Sequence, residues 1–148
     1  MPELNFNELG FLPLGIHDCS LEEAKQLLCF NDWRMQLWNK FLDYANIITA
    51  GGFKYHICLD GSFLTDKQDP LDIDIVLSAV DEFATILQKI DQKYFMHDFV
   101  KDNFKLHLFF HPAPVNDFRE FFQYIGVKEG GRRGLHPNEK KGILRVIL

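Results

Sequence analysis

Hydrophobic and polar positions change period several times along the chain, and each change marks an element. Met35, Trp38, Phe41, Leu42, Ala45 and Ile48 recur three or four apart. They form one stripe of a helix that begins at Asn31 or Asp32 and that Gly51 and Gly52 end. Ahead of it, Ser20 followed by Glu23 makes a capping box that opens a shorter helix through about residue 29. Phe53, Tyr55, Ile57 and Leu59 then alternate with Lys54, His56, Cys58 and Asp60, the period of two that predicts a strand with one face in the core. Residues 72–77 predict a second strand. Residues 81–90 predict a helix with Phe83, Ile86, Leu87 and Ile90 inward, and 104–110 a third strand closed by Pro112 and Pro114. Asn116 can cap a further helix in which Phe118, Phe121, Phe122 and Ile125 face inward and Gly126 is the stop. The apolar run 143–148 predicts a last strand. Residues 1–19, with Pro13 and Gly15, hold neither period and predict an extended arm lying over the domain.

This order predicts an α+β fold, a small mixed sheet covered by helices, as a single domain spanning 1–148. Its appendages are the arm 1–19 and a flexible basic loop at 127–142, where Arg132, Arg133, Lys140 and Lys141 cluster. Composition agrees: 148 residues, 47% hydrophobic and fifteen Phe, are enough for one packed core and argue against disorder. Sixteen basic against 21 acidic residues leave a net charge of −5, so no overall field draws the chain to nucleic acid or anionic lipid. A polyanion would have to be held locally. No apolar run approaches the roughly 20 residues that cross a bilayer, and no secretion signal is visible, so the expectation is a cytoplasmic protein with no membrane partner. Cys19, Cys29 and Cys58 are odd in number and well separated, which suits reduced thiols and supports neither a disulfide frame nor zinc.

Unusual residue choices converge in one segment. Asp72 and Asp74 stand two apart on a predicted strand, so both carboxylates leave one face of the sheet while Ile73 and Ile75 enter the core. At about 6 Å and an effective dielectric of about 20 their repulsion is on the order of 2–3 kcal/mol, which asks for a cation. Mg²⁺ fits, since it takes one or two carboxylates and fills its remaining positions with water and substrate phosphates. Gly61 and Ser62 follow a strand directly, where glycine lets the backbone approach a phosphate and the next amides and the hydroxyl can donate to it. Asp-x-Asp alone is more often a solvated strand edge; its coupling to Gly-Ser at this spacing is what points to a site. Ser62 lacks the Gly-x-Ser-x-Gly elbow of a covalent nucleophile. Trp33 and Trp38 are most simply packing residues, and His107 with His111 lies on a strand, where that spacing makes no metal pair.

GSFLTDKQDPLDIDIVL resembles the nucleotidyltransferase superfamily of the DNA polymerase beta type. It is most similar to small bacterial and phage-encoded nucleotidyltransferase-like proteins with the pattern Gly-Ser-Phe-x-Thr-x-Lys-x-x-Pro-x-Asp-x-Asp. PLGIHDCSLEEA and KKGILRV are similar to the flanks of that group. The resemblance implies that Gly61 and Ser62 hold the β,γ-phosphates of a nucleoside triphosphate, with Thr65 and Lys67 in reach of phosphate. Asp72 and Asp74 would be the catalytic residues, ligating Mg²⁺ or Mn²⁺. The transferred group would be a nucleoside monophosphate and the acceptor a hydroxyl on a macromolecule, tRNA or protein, in a toxin–antitoxin or phage-defence setting. A second copy or a partner chain would complete the cleft. One departure stands out: the third carboxylate usual in active members falls at His107. It either joins the metal site, favouring Mn²⁺, or marks a catalytically degenerate binding or interaction module.

Overall fold

The computed structural model describes residues 6, 10, 12, 15–111 and 143–147. The expected helix at 116–126 and basic loop at 127–142 lie outside the described residues. Two helices come early. Helix α1, Leu21–Leu28, is opened by the expected capping box: the Glu23 amide donates to Ser20 Oγ and the Ser20 amide to Glu23 Oε1, both at 3.1 Å. Helix α2, Asp32–Ile48, is capped by Asn31, whose Oδ1 accepts from the Arg34 amide at 2.8 Å. Gly51 and Gly52 end it at φ 95° and 87°, backbone that L side chains rarely adopt.

Among the described residues five strands form one mixed sheet: β1 (Ile16–Asp18), β2 (Tyr55–Asp60), β3 (Ile73–Ala79), β4 (Leu106–His111) and β5 (Ile143–Ile147), in the order β1-β5-β2-β3-β4. Strands β2 and β3 are antiparallel, as are β2 and β5, whereas β3 and β4, and β1 and β5, run parallel. The expected α+β mixed sheet is therefore the observed fold. Helix α2 covers the face that carries Tyr55, Ile57, Leu59, Ile75 and Leu77: the Tyr55 hydroxyl donates to Ile48 O at 2.7 Å, and the Trp38 ring stacks on Phe63. Leu12, from the N-terminal arm, is buried in the same core.

Several boundaries differ from expectation. The arm contains strand β1, clamped to β5 by a two-point ion pair from Arg145 to Asp18 at 2.5 and 2.8 Å. The second strand begins at Ile73, leaving Asp72 one residue outside the ladder. The helix expected at 81–90 is only α3, Phe83–Leu87, and Leu87 is exposed. An unexpected helix α4, His97–Phe104, follows, so Phe104 ends a helix rather than starting a strand. Arg34, Leu37 and Tyr44 are buried on α2, broadening its stripe, while Met35 and Leu42 are only half-buried. Cys58, Asp60, Val76 and Ser78, on the face expected to be polar, are also buried. Central strands covered on both faces read as near-continuous buried runs, which is the pattern of β3.

No described helix is long and apolar enough to cross a membrane.

Candidate functional site

The corner after β2 is built by glycine. Gly61 has φ 78° and ψ −166°, a region essentially reserved for that residue. A Cβ placed on it would stand 2.6 Å from Asp74 Oδ2 and 2.7 Å from Asp74 Cγ. Absence of a side chain thus lets the chain turn directly against the Asp74 carboxylate. The Gly-Ser corner and the second acid of Asp-x-Asp, distant by thirteen positions in the chain, are neighbours in space. Ser62 opens a single 3₁₀ turn, Ser62–Leu64, and is half-buried. Among the described residues its hydroxyl bonds to no other protein group.

Asp74 lies in a cross-strand row. It pairs with Asp60 on antiparallel β2 and with His107 on parallel β4, so the three side chains share one face. Asp74 Oδ1 is 3.4 Å from His107 Nδ1, and both side chains are about one-third exposed (30% and 37%). Asp60 is buried. Asp72, half-buried, precedes the strand by one residue, outside the ladder that places Asp74. The His107 ring meets His97 edge to face at 4.9 Å, and His97 Nδ1 lies 3.1 Å from Asp98 Oδ1. Phe109 continues the line at 4.6 Å from His107. Among the described residues no three His, Cys, Asp or Glu are placed to hold a metal ion by themselves.

The loop joining the corner to β3 is pinned by the first turn of α2. Asn31 Nδ2 donates to Gln68 O at 2.7 Å and Trp33 Nε1 to Pro70 O at 2.6 Å. Trp33 therefore does more than pack. Arg34 is completely buried and spends all its donors on main-chain oxygens. Nε donates to Lys67 O (3.0 Å), Nη1 to Leu28 O and Phe63 O (2.8 and 2.7 Å), and Nη2 to Ser62 O and Thr65 O (3.3 and 2.5 Å). The Phe30 and Phe63 rings lie 4.2 and 4.8 Å from its guanidinium carbon. Burial pulls the guanidinium down to about 10, still protonated at neutral pH.

Thr65 is buried, its hydroxyl donating to Ser62 O at 2.7 Å and accepting from the Lys67 amide at 3.2 Å. Where a phosphate contact was expected of Thr65, its hydroxyl closes the loop. Lys67 contributes its amide and carbonyl to the same loop and keeps a half-buried side chain.

Two residues of this site were not singled out by sequence reasoning. Asp60 becomes a site residue only through the β2–β3 register. Arg34 did carry a signal, because it sits four and seven positions before Trp38 and Phe41, on the apolar stripe itself. A charged residue at such a position has to find partners inside.

No curated protein and no solved structure matches the chain. A family model does match, over residues 4–147, and covers corner, acids and both edges of the sheet. The protein belongs to that family, DUF6932, a family of unknown function.

Proposed function

We propose that the protein is a metal-dependent nucleotidyltransferase that moves a nucleoside monophosphate from a nucleoside triphosphate to a hydroxyl on a macromolecule, tRNA or protein. The observation that carries this reading is the seating of Gly61 directly against the Asp74 carboxylate. It brings the phosphate-binding half of the Gly-Ser…Asp-x-Asp pattern within contact of its metal-binding half. The donors suit a hard divalent ion: Asp74 and Asp72 offer carboxylate oxygens, and triphosphate and water would supply the other positions, as Mg²⁺ prefers. When bound, that ion offsets charge on the phosphoryl oxygens and lowers the proton affinity of an attacking hydroxyl. The Gly61 backbone and the uncommitted Ser62 hydroxyl hold the β,γ-phosphates, with Lys67 as a further cation in the loop. His107 Nδ1 faces the Asp74 carboxylate from the β4 side. Positioning for in-line displacement is the main contribution the chain makes.

A second reading, a catalytically degenerate binding module, is favoured by one observation: the residue beside Asp74 on β4 is an imidazole and not a carboxylate. Both readings meet in one experiment. With Mg²⁺ or Mn²⁺ and each α-labelled nucleoside triphosphate, the wild type labels a macromolecule of a cell lysate, and the Asp72→Asn, Asp74→Asn double variant does not. Labelling that survives the double change removes the metal site. Divalent-dependent nucleotide binding without transfer supports a degenerate nucleotide-binding module, and no binding at all excludes the enzyme and leaves only an interaction module.

A further inference from the structure

A buried guanidinium that closes no ion pair is unusual. Its charge has been taken out of water and must be satisfied by hydrogen bonds inside the protein. Among the described residues Arg34 closes no ion pair, the Asp66 carboxylate attracts it only through space, and all five of its hydrogen bonds end on neutral carbonyls. Four of those carbonyls, of Ser62, Phe63, Thr65 and Lys67, belong to the loop that follows Gly61. A planar trans peptide sends its amide the opposite way from its carbonyl. Drawing the Ser62 carbonyl toward Arg34 therefore turns the Phe63 amide away from it.

We propose that Arg34 is the positioning residue of the polyphosphate site: it fixes the Gly61–Ser62 corner through the loop carbonyls, and its buried charge beneath the corner raises affinity for a polyphosphate without touching it. This rests on the nucleotidyltransferase reading and adds to it a residue outside the Gly-Ser and Asp-x-Asp motifs. The geometry asks for a planar fork, because five acceptors around one side chain cannot be met by the three donors of a lysine ammonium. A low-dielectric surround also lets the charge act on an anion more strongly than a solvated lysine would.

The test uses the full chain with Arg34→Lys, which keeps charge and loses the fork, and Arg34→Gln, which loses charge. Binding of Mg²⁺-tripolyphosphate and Mg²⁺-ATP is measured by calorimetry at a temperature where each variant is fully folded, alongside hydrogen exchange of amides 61–68. Arg34→Lys is expected to speed exchange in that loop and to weaken both probes by about tenfold or more, the equivalent of one charge-assisted bond. A merely structural residue would lower the melting temperature while leaving the affinity of the folded fraction unchanged. Should Arg34→Gln fail to fold, Arg34→Lys alone decides. Wild-type binding with Arg34→Lys equal to it within about twofold overturns the proposal and leaves the nucleotidyltransferase reading standing. A wild type that binds neither probe overturns that reading, and the role of Arg34 in polyphosphate binding with it.

Discussion

Replacing Gly61 by alanine isolates the contact on which the candidate site depends. Two costs add. The backbone at φ 78° and ψ −166° is strained for any L side chain, by about 1–3 kcal/mol. The new methyl also stands 2.6, 2.7 and 3.0 Å from Asp74 Oδ2, Cγ and Cβ, and relieving that overlap costs about 1–2 kcal/mol more. Asp74→Ala deletes the two closer atoms and leaves only the 3.0 Å contact. In that background Gly61→Ala should cost the backbone term alone. Urea unfolding of wild type, both single variants and the double variant, followed by circular dichroism, forms a thermodynamic cycle. The expected coupling is about 1–2 kcal/mol, with the double variant less destabilised than the sum of the singles. Loss of the Asp74–His107 contact is common to both arms that carry Asp74→Ala, so it cancels. Additivity within about 0.5 kcal/mol would refute the packing of Gly61 on Asp74 and the site with it.

Two further outcomes follow from local chemistry. Ser20→Ala removes the side-chain acceptor of the α1 capping box and should lower stability by about 1 kcal/mol, read as a shift in urea midpoint at constant slope; an unchanged midpoint would place the helix start elsewhere. Burial pushes the thiols of Cys19 and Cys29 up to about 11 from 9.0. The unfolded chain therefore ionises first: stability is full below pH 9.0, falls as pH rises toward 11, and then levels off. Alkylation of both thiols by iodoacetamide should be slow at neutral pH and accelerate in the same window, and a Cys19→Ser, Cys29→Ser variant that keeps the whole alkaline loss would assign it to other groups.

Much of this protein was legible locally. The boundaries of α2 followed from Asn31, the glycine pair and a four-turn apolar stripe, since caps and stripes act within a few residues. Strands β2 and β3 followed from alternation, and the Gly-Ser corner with its Asp-x-Asp from residue type and spacing. Helix α4 escaped because its first turn has no capping side chain and its end, at Lys105, takes a left-handed φ of 53° where a sequence reader looks for glycine or asparagine. Strand β1 escaped because three residues carry no period, and it exists through pairing with β5, 127 positions away from Asp18 to Arg145.

What the tertiary structure alone decided is non-local by nature. The insertion of β5 between β1 and β2 sets the sheet order, and no local signal encodes which strands meet. Register put Asp60 and His107 on either side of Asp74, and a slip of one residue would have sent Asp74 to the opposite face. The role of Arg34 emerged only once α2 and the loop after Gly61 came together, because a side chain's hydrogen-bond partners are set by which segments the fold packs around it. Sequence named the residues able to do chemistry; packing determined which of them stand within reach of one another.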